Sequence, residues 1–154
     1  MHSPRLRAIQ TLSLLLPTLP PHSTVLADAR IREWSYGRYE GLTPSQIRHD
    51  RRQRGIDPAD RSWDIWRDGS EDDPVTHARG ESPAEIAERV DSVIQDVKEI
   101  QRIGFAGGSE EGRRDILIVS HGHFLRAFVK RWLGYGLQEP LVMVLDPGGI
   151  VCLR

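Results

Sequence analysis

The sequence has little of several features that mark specialised classes of protein. Its single cysteine, Cys152, can form neither an internal disulfide nor a thiolate zinc site, which favours a reducing, cytoplasmic location. Its 21 basic and 22 acidic residues nearly cancel, so no overall field attracts nucleic acid or an anionic membrane. No apolar run approaches the roughly 18 residues of a membrane span. We therefore expect neither nucleic acid nor a membrane among its partners.

What is present fits one compact folded domain. The 154 residues match the usual length of a single domain, and 38% hydrophobic with 28% charged residues is an ordinary globular composition. Candidate strands lie at residues 24–27 and 115–120, and a candidate hairpin covers residues 141–153. Because predicted helices separate these strands, the order favours an α/β fold with a mostly parallel sheet.

The predicted helices carry recognisable start signals. Ser3 followed by Pro4 predicts an N-cap and first turn for a helix whose apolar stripe would be Leu6, Ile9, Leu12 and Leu16. Capping boxes at residues 43–46 and 82–85 predict two more helices, to about Arg54 and Ile103. A fourth helix would follow His121 and end at Gly134.

His121 is the strongest candidate for chemistry, because it would lie at the carboxyl end of a buried parallel strand, where open α/β sheets bind ligands. Gly122 would let a ligand approach the backbone, and the helix start would offer free N–H groups to an anion. A structural histidine at a strand end is the alternative. The His121-Gly122-His123 pair could also ligate a metal, but no third ligand follows at the expected spacing.

Arg7 and Glu33 are weaker candidates taken alone. Arg7 is a cation in the first turn of a helix, where it opposes the helix dipole, and gripping phosphate or carboxylate would explain it. A solvated arginine is the simpler interpretation. Glu33 precedes Trp34 in a loop and is a candidate general acid, or else an ion-pair partner of Arg30 or Arg32. The basic stretch at 48–54 is typical of a solvated helix face.

Four blocks in order resemble the histidine phosphatase superfamily, the phosphoglycerate mutase-like group. They are residues 3–11 (SPRLRAIQT), 31–43 (IREWSYGRYEGLT), 80–82 (GES) and 118–127 (IVSHGHFLRA). Residues 63–69 (WDIWRDG) and the His-Gly-His variant resemble the fungal sedoheptulose-1,7-bisphosphatase branch. The resemblance implies a three-layer sandwich around a mostly parallel sheet.

The resemblance also implies roles for individual residues. Arg7 and His121 would hold a phosphoryl group, Glu33 would protonate the leaving alcohol, and Tyr36, Gly122 and His123 would contact the substrate. The implied activity is hydrolysis of a phosphate monoester through a phosphohistidine, on a sugar phosphate or bisphosphate, with neither metal nor cofactor. The implied partner is a small phosphorylated metabolite, and a homo-oligomer is allowed.

One departure from the family pattern concerns the nucleophile. The family begins with a strand ending in Arg-His-Gly, and this chain contains no such triplet, since residues 48–50 read Arg-His-Asp inside a predicted helix. We therefore expect a single domain over residues 1–154 that is truncated at its N-terminus, with a natively minimal chain as the alternative. The last predicted strand stops at Arg154, which allows a truncation at the C-terminus as well. Loss of the first strands would leave unpaired sheet edges and impaired catalysis. A non-catalytic phosphate-binding protein is the alternative.

Overall fold

A computed structural model describes residues 1–58, 61–106 and 115–154. Its α-helices are α1 (Leu6–Leu15), α2 (Pro44–Gln53), α3 (Ile65–Asp68), α4 (Pro83–Ala106) and α5 (Gly122–Trp132). Short 3-10 turns cover Leu16–Thr18, Ala29–Ile31 and Gly37–Tyr39. Within these residues, no helix is long and apolar enough to cross a bilayer.

The predicted helix ends are confirmed for α2, α4 and α5. Thr43 caps α2 in a full capping box with Gln46, and Gly55 follows its C-cap with a φ of 66°. Ser82 and Glu85 exchange the corresponding bonds at the start of α4. These signals were readable because each depends on side chains within one turn of the helix end.

The prediction for α1 is wrong in two respects. Ser3 is fully buried and does not cap the helix, which begins after Arg5 without a side-chain cap. The apolar stripe is mostly outside the core, since Leu6 is 69% exposed and Ile9 41%, while Ala8 and Leu12 are buried. A helix buries the face that its neighbours cover. For α1 that neighbour is the segment containing Val119, which packs against Ala8 and Leu12.

Parallel pairing in the described residues is limited to isolated bridges. His2 pairs in parallel with Ala27 on one side and Val119 on the other. The Val119 N–H donates to the Met1 carbonyl at 3.0 Å, and the Ser3 N–H donates back to Val119 at 2.9 Å. The opposite edge of residues 116–120 has no backbone partner in the described ranges. The segment that carries His121 therefore has one paired edge and one open edge.

The hairpin predicted over residues 141–153 is not formed. A turn closes with the Gly149 N–H on the Asp146 carbonyl at 2.8 Å, but the flanking residues adopt no strand. Val142 is 98% exposed and Ile150 92%. An alternating apolar pattern becomes a strand only when a neighbour supplies backbone partners, and these residues meet none in the described part of the chain.

Two apolar clusters lie on opposite sides of the His121 segment. Val119 packs with Ala8 and Leu12 of α1 in the smaller cluster, while Ile116 and Ile118 pack against the larger one. The larger cluster contains one face of α4, one face of α5 and two tryptophans, namely Ile86, Val90, Val93, Val97, Phe124, Phe128, Trp34 and Trp63. Helices thus cover both faces of residues 116–120 in a layered α/β arrangement. This packing fixes the position of His121, which follows the segment.

Candidate active site

The side chains of Arg7 and His121 are in contact at the end of the segment formed by residues 116–120. The Arg7 Nε donates to His121 Nδ1 at 2.9 Å, although 114 positions separate the two residues in sequence. His121 is 5% exposed, whereas Arg7 is exposed. The guanidinium uses only its Nε for this contact, and its two Nη groups have no partner in the described ranges. They remain able to form a two-point contact with an anion.

Ser3 completes this contact, and sequence reasoning missed it. The second ring nitrogen of His121, Nε2, lies 2.7 Å from Ser3 Oγ. Because Nδ1 accepts from Arg7, we assign the ring proton to Nε2, which then donates to the Ser3 hydroxyl. The sequence signal at this position, a serine directly before a proline, predicts a helix cap and not a partner for a distant histidine.

Glu33 lies at the start of α5. Its Oε1 accepts from the backbone N–H of Phe124 at 3.0 Å and of Trp34 at 2.9 Å, and its Oε2 lies 3.4 Å from the N–H of His123. The start of α5 was expected to offer free N–H groups to an anion. This expectation is wrong for the N–H groups of His123 and Phe124, which face the Glu33 carboxylate. The Oε2 oxygen is the less engaged of the pair and the one better able to exchange a proton.

The ion-pair alternative for Glu33 is also wrong. Arg30 forms ion pairs with Asp28 at 2.7 Å and with Asp96 at 2.6 Å, and Arg32 approaches Glu81 at 3.8 Å. With its carboxylate facing α5, Glu33 is joined to the helix that follows His121. The acid and the imidazole are therefore fixed relative to each other by one helix end.

A buried ion pair holds the loop that carries Glu33. Arg89 of α4 donates from Nε to Glu81 at 2.5 Å, and from Nη1 to the carbonyls of Arg30 at 2.6 Å and Arg32 at 3.0 Å. Glu81 Oε2 in turn accepts from the Ser35 N–H at 3.1 Å. These bonds hold the backbone before and after Glu33, so the Arg89–Glu81 pair fixes the position of the loop relative to α4.

Tyr36 and His123 form a second polar pair beside the first. The Tyr36 hydroxyl lies 2.6 Å from His123 Nδ1, and the two rings meet edge to face with centroids 5.7 Å apart. Both residues line a cavity of about 670 Å³ that extends toward Ile47 and Trp63. This cavity is large enough to hold a small metabolite next to the Glu33 helix end.

Burial shapes the protonation of this site. It lowers the pKa of His121 below its ordinary value of 6.5, and the nearby Arg7 cation lowers it further. It also lowers the pKa of His123, with Arg126 acting in the same direction and Glu33 opposing. The pKa of Tyr36 is raised by burial and by the Glu33 charge. Both imidazoles are therefore neutral near pH 7, and the Tyr36 hydroxyl keeps its proton.

Two further features of the sequence, the tryptophans and the basic stretch at residues 48–54, contribute to the packing of the core. Trp34 and Trp63 are buried in the larger apolar cluster. The solvated-face interpretation of residues 48–54 is wrong for Arg51, which is 8% exposed and donates to Tyr39 and Glu71. A buried cation of this kind is visible only once its partners, which lie outside α2, are known.

The metal alternative finds no donor set in the described residues. No group of three or more histidine, cysteine, aspartate or glutamate side chains converges there. Both ring nitrogens of His121 are already hydrogen-bonded to protein groups, and His123 Nδ1 faces Tyr36. The two imidazoles thus face different partners instead of a common point.

Comparison with known protein families agrees with this geometry. A family model described as histidine phosphatase superfamily (branch 1) matches residues 1–154. The chain is 39% identical over 142 residues to a protein named sedoheptulose 1,7-bisphosphatase from Saccharomyces cerevisiae, covering 89% of this chain and 48% of that protein. It is 34% identical over 137 residues to an acid phosphatase from Mycobacterium tuberculosis, covering 89% and 52%.

Solved structures give the same picture. An open reading frame product of Mycobacterium tuberculosis superposes with a TM-score of 0.60 and 33% identity, covering 88% of this chain and 54% of that one. A mycobacterial glucosyl-3-phosphoglycerate phosphatase in complex with inorganic phosphate gives a TM-score of 0.58 and 25% identity, covering 89% and 59%. The chain spans about half the length of the curated relatives it matches.

Proposed function

Because this chain belongs to the histidine phosphatase superfamily, we propose that it carries the phosphoryl-binding part of a phosphomonoesterase site that takes a sugar phosphate or bisphosphate. The observation that supports this most is the contact between Arg7 and His121. The guanidinium, whose two Nη groups have no partner among the described residues, is suited to hold a phosphate dianion and to offset the charge of its transition state, and the contact with His121 positions it.

The other residues of the site receive roles from their positions. Glu33, with Oε2 lightly engaged, would protonate the leaving alcohol. Tyr36 and His123 would contact the rest of the substrate from the wall of the 670 Å³ cavity, and Gly122 would let it approach the backbone. The site would need neither metal nor cofactor, because the charges on the phosphoryl group are met by these side chains.

The nucleophile of the proposed reaction would be a histidine. It would attack the phosphorus, the ester oxygen would leave with a proton from Glu33, and water would then hydrolyse the phosphohistidine. The family places that histidine in an Arg-His-Gly strand, a triplet that the 154 residues do not contain. The complete fold would be a three-layer sandwich in which that strand pairs with the open edge of residues 116–120.

Binding of inorganic phosphate tests this proposal. Calorimetric titration of the 154-residue chain should show one phosphate bound, and Arg7→Gln should weaken it by about ten- to one-hundredfold, the range expected for a charge-assisted contact. The matched control is Arg102→Gln, an exposed arginine paired with Glu99 on α4. Equal phosphate affinity in the wild type and Arg7→Gln would rule the proposal out.

A non-catalytic phosphate-binding protein is the second candidate, favoured by the missing Arg-His-Gly triplet. It predicts the same binding with no turnover of an aryl phosphate, and a melting temperature that rises with phosphate concentration. Without the nucleophile, hydrolysis should fall by about 10³- to 10⁶-fold relative to a complete enzyme. Measured hydrolysis above that range by the 154-residue chain would exclude this candidate.

A further inference from the structure

A smaller cavity of about 260 Å³ contains a buried amine that the proposed function does not use. We call it the lysine cavity, because Lys130 of α5 lines it while being only 5% exposed. The other lining side chains include no carboxylate and are Trp66, His123, Arg126, Leu141 and Met143. A buried lysine is ordinarily paired with an acid, so an amine in a cavity of this composition calls for a chemical explanation.

The contacts of Lys130 fix the orientation of its nitrogen. Nζ donates to the Leu137 carbonyl at 2.7 Å and lies 4.3 Å from the centroid of the Trp66 ring. Nitrogen has three positions besides its bond to the side chain, so one N–H serves Leu137 and a second faces the ring. The third position has no acceptor among the described residues and is left for the lysine cavity. In an ammonium it is an unsatisfied N–H, whereas in a neutral amine it is the lone pair.

The charges around Lys130 favour the neutral amine. Burial lowers the pKa of Lys130 below its ordinary value of 10.5, and the charges of Asp64 and Glu139 oppose this without cancelling it. Each of these two carboxylates already accepts a backbone N–H, at 3.0 Å and 2.7 Å respectively. Arg126 lines the same cavity, and a like charge there disfavours a second cation. The Nζ lone pair is therefore more available than that of an exposed lysine, which makes this amine the better nucleophile.

We propose that Lys130 is a modification site, at which small aldehydes enter the lysine cavity and form a Schiff base with Nζ. The lone pair attacks the carbonyl carbon, a C–N bond forms, and the π electrons of the C=O bond move to oxygen. That oxygen leaves as water with the two amine protons, and a C=N bond remains, so no oxidant or reductant is needed. The inference does not depend on the proposed function, because it uses neither Arg7 nor His121.

The same contacts suit the product of this reaction. A protonated Schiff base has a single N–H, which would keep the bond to the Leu137 carbonyl. Its planar cation would face the Trp66 ring, where cation–π attraction is strongest for tryptophan. The carbon from the aldehyde would occupy the third position, which is directed into the cavity. The site therefore offers a partner to each part of the product.

Selective labelling of the 154-residue chain tests the proposal, and the chain contains its own control. The sequence has two lysines, and the second, Lys98, is exposed and also faces a tryptophan ring, that of Trp132, at 5.5 Å. Glycolaldehyde with cyanoborohydride converts each Schiff base into a stable secondary amine, which peptide mass spectrometry locates. At pH 7, Lys130 should be labelled about tenfold or more faster than Lys98. Labelling of Lys130 that is equal or slower would overturn the proposal.

A pair of variants tests the missing carboxylate. Met143→Glu places an acid in the lining of the lysine cavity, where it would hold Lys130 as an ammonium. Labelling of Lys130 should then fall by about tenfold, with Lys98 unchanged. Val142→Glu is the matched control, because this neighbouring side chain is 98% exposed and its carboxylate would stay in solvent. Equal labelling of Lys130 in the two variants would contradict the charge argument.

The wild-type chain supplies a last measurement that does not require any variant to fold. In urea at a concentration that unfolds the chain, the lysine cavity is lost, and the two lysines should be labelled at similar rates. A preference for Lys130 that persists in urea would mean that its reactivity comes from the neighbouring sequence, and the proposal would fail. A preference present only in the folded chain supports it.

Discussion

At the scale of single residues, the site depends on pairs that are distant in sequence. Arg7 opposes the dipole of α1 from its first turn, a cost of about 0.3–1 kcal/mol at an exposed position. In return it is held against His121 at 2.9 Å, and its Nη groups donate to no acceptor among the described residues. The arrangement is understandable as preparation for an anion, since nothing in α1 itself gains from it.

The lowered pKa values of His121 and His123 predict a dependence of stability on pH. The unfolded chain binds protons near pH 6.5 that the folded imidazoles do not, so the free energy of unfolding should fall as pH drops through 6.5. Each imidazole can contribute at most about 1.4 kcal/mol per pH unit. Urea unfolding at pH 7.5 and 5.5 should therefore show a smaller pH effect in His121→Gln than in the wild type. An equal pH effect in both would contradict the burial argument.

At the residue scale, the motifs singled out side chains that the structure brings together, but they did not report which backbone or hydroxyl groups those side chains bind. Arg7, Glu33, Tyr36, His121 and His123 were each singled out, and the structure brings them to one region around the start of α5. The burial of Ser3 and the capping of α5 by Glu33 were not predicted. Both depend on which backbone groups a distant segment leaves exposed, and no local spacing reports that.

At the scale of elements, α4 is the support of the site. Its Arg89 joins the Glu33 loop to the Glu81 carboxylate, and both partners of this ion pair are buried, with side chains 10% and 5% exposed. Removing one partner of a buried pair leaves an unpaired charge, which costs more than the pair itself contributes.

We therefore expect Arg89→Ala to lower the free energy of unfolding by about 3–5 kcal/mol. Arg131→Ala is the matched control, because its pair with Asp91 also joins two helices but is partly exposed, and it should cost less than about 1 kcal/mol. Chemical denaturation measures both. Similar losses in the two variants would mean that burial does not decide the effect.

Two glycines give a second prediction at this scale. Both have a positive φ, 50° at Gly37 and 76° at Gly41, but a Cβ at Gly37 would lie 2.1 Å from the Glu71 carbonyl oxygen, whereas at Gly41 it would meet nothing within 4 Å. Gly41→Ala should cost about 1–2 kcal/mol, from backbone strain alone. Gly37→Ala should cost clearly more, because the Tyr36 turn must move as well. Thermal melts of the two variants decide this, and equal losses would contradict it.

Sequence reasoning did best with helices and worst with strands. Capping boxes and apolar periodicity gave α2, α4 and α5, because a helix satisfies its own backbone. Strand pairing needs a neighbour, and residues 141–153 have the pattern without finding one among the described residues. Residues 116–120 likewise have the apolar pattern of a strand, but one of their edges has no backbone partner among the described residues.

At the scale of the whole molecule, the open edge of residues 116–120 predicts where a strand that carries a nucleophile would pair. Extending the chain at Met1 with a strand that ends in Arg-His-Gly, joined through a helical crossover of about a dozen residues or more, should produce hydrolysis of an aryl phosphate. The crossover lets the strand reach the open edge, on the side of residues 116–120 away from Met1, where it supplies both the missing pairing and the nucleophile. The same extension ending in Arg-Gln-Gly is the matched control and should remain inactive. Activity that survives Arg7→Ala and His121→Ala in the extended chain would show that a different site is responsible.

An NMR titration of the 154-residue chain with inorganic phosphate, following the Arg7 Nε–H and the His121 ring signals, shows directly whether these two residues form the phosphate site. If Arg7 and His121 bind the phosphate, both signals move together and saturate at one phosphate per chain, while the exposed His49 ring stays unchanged. Saturable phosphate binding that leaves the Arg7 and His121 signals in place would contradict it.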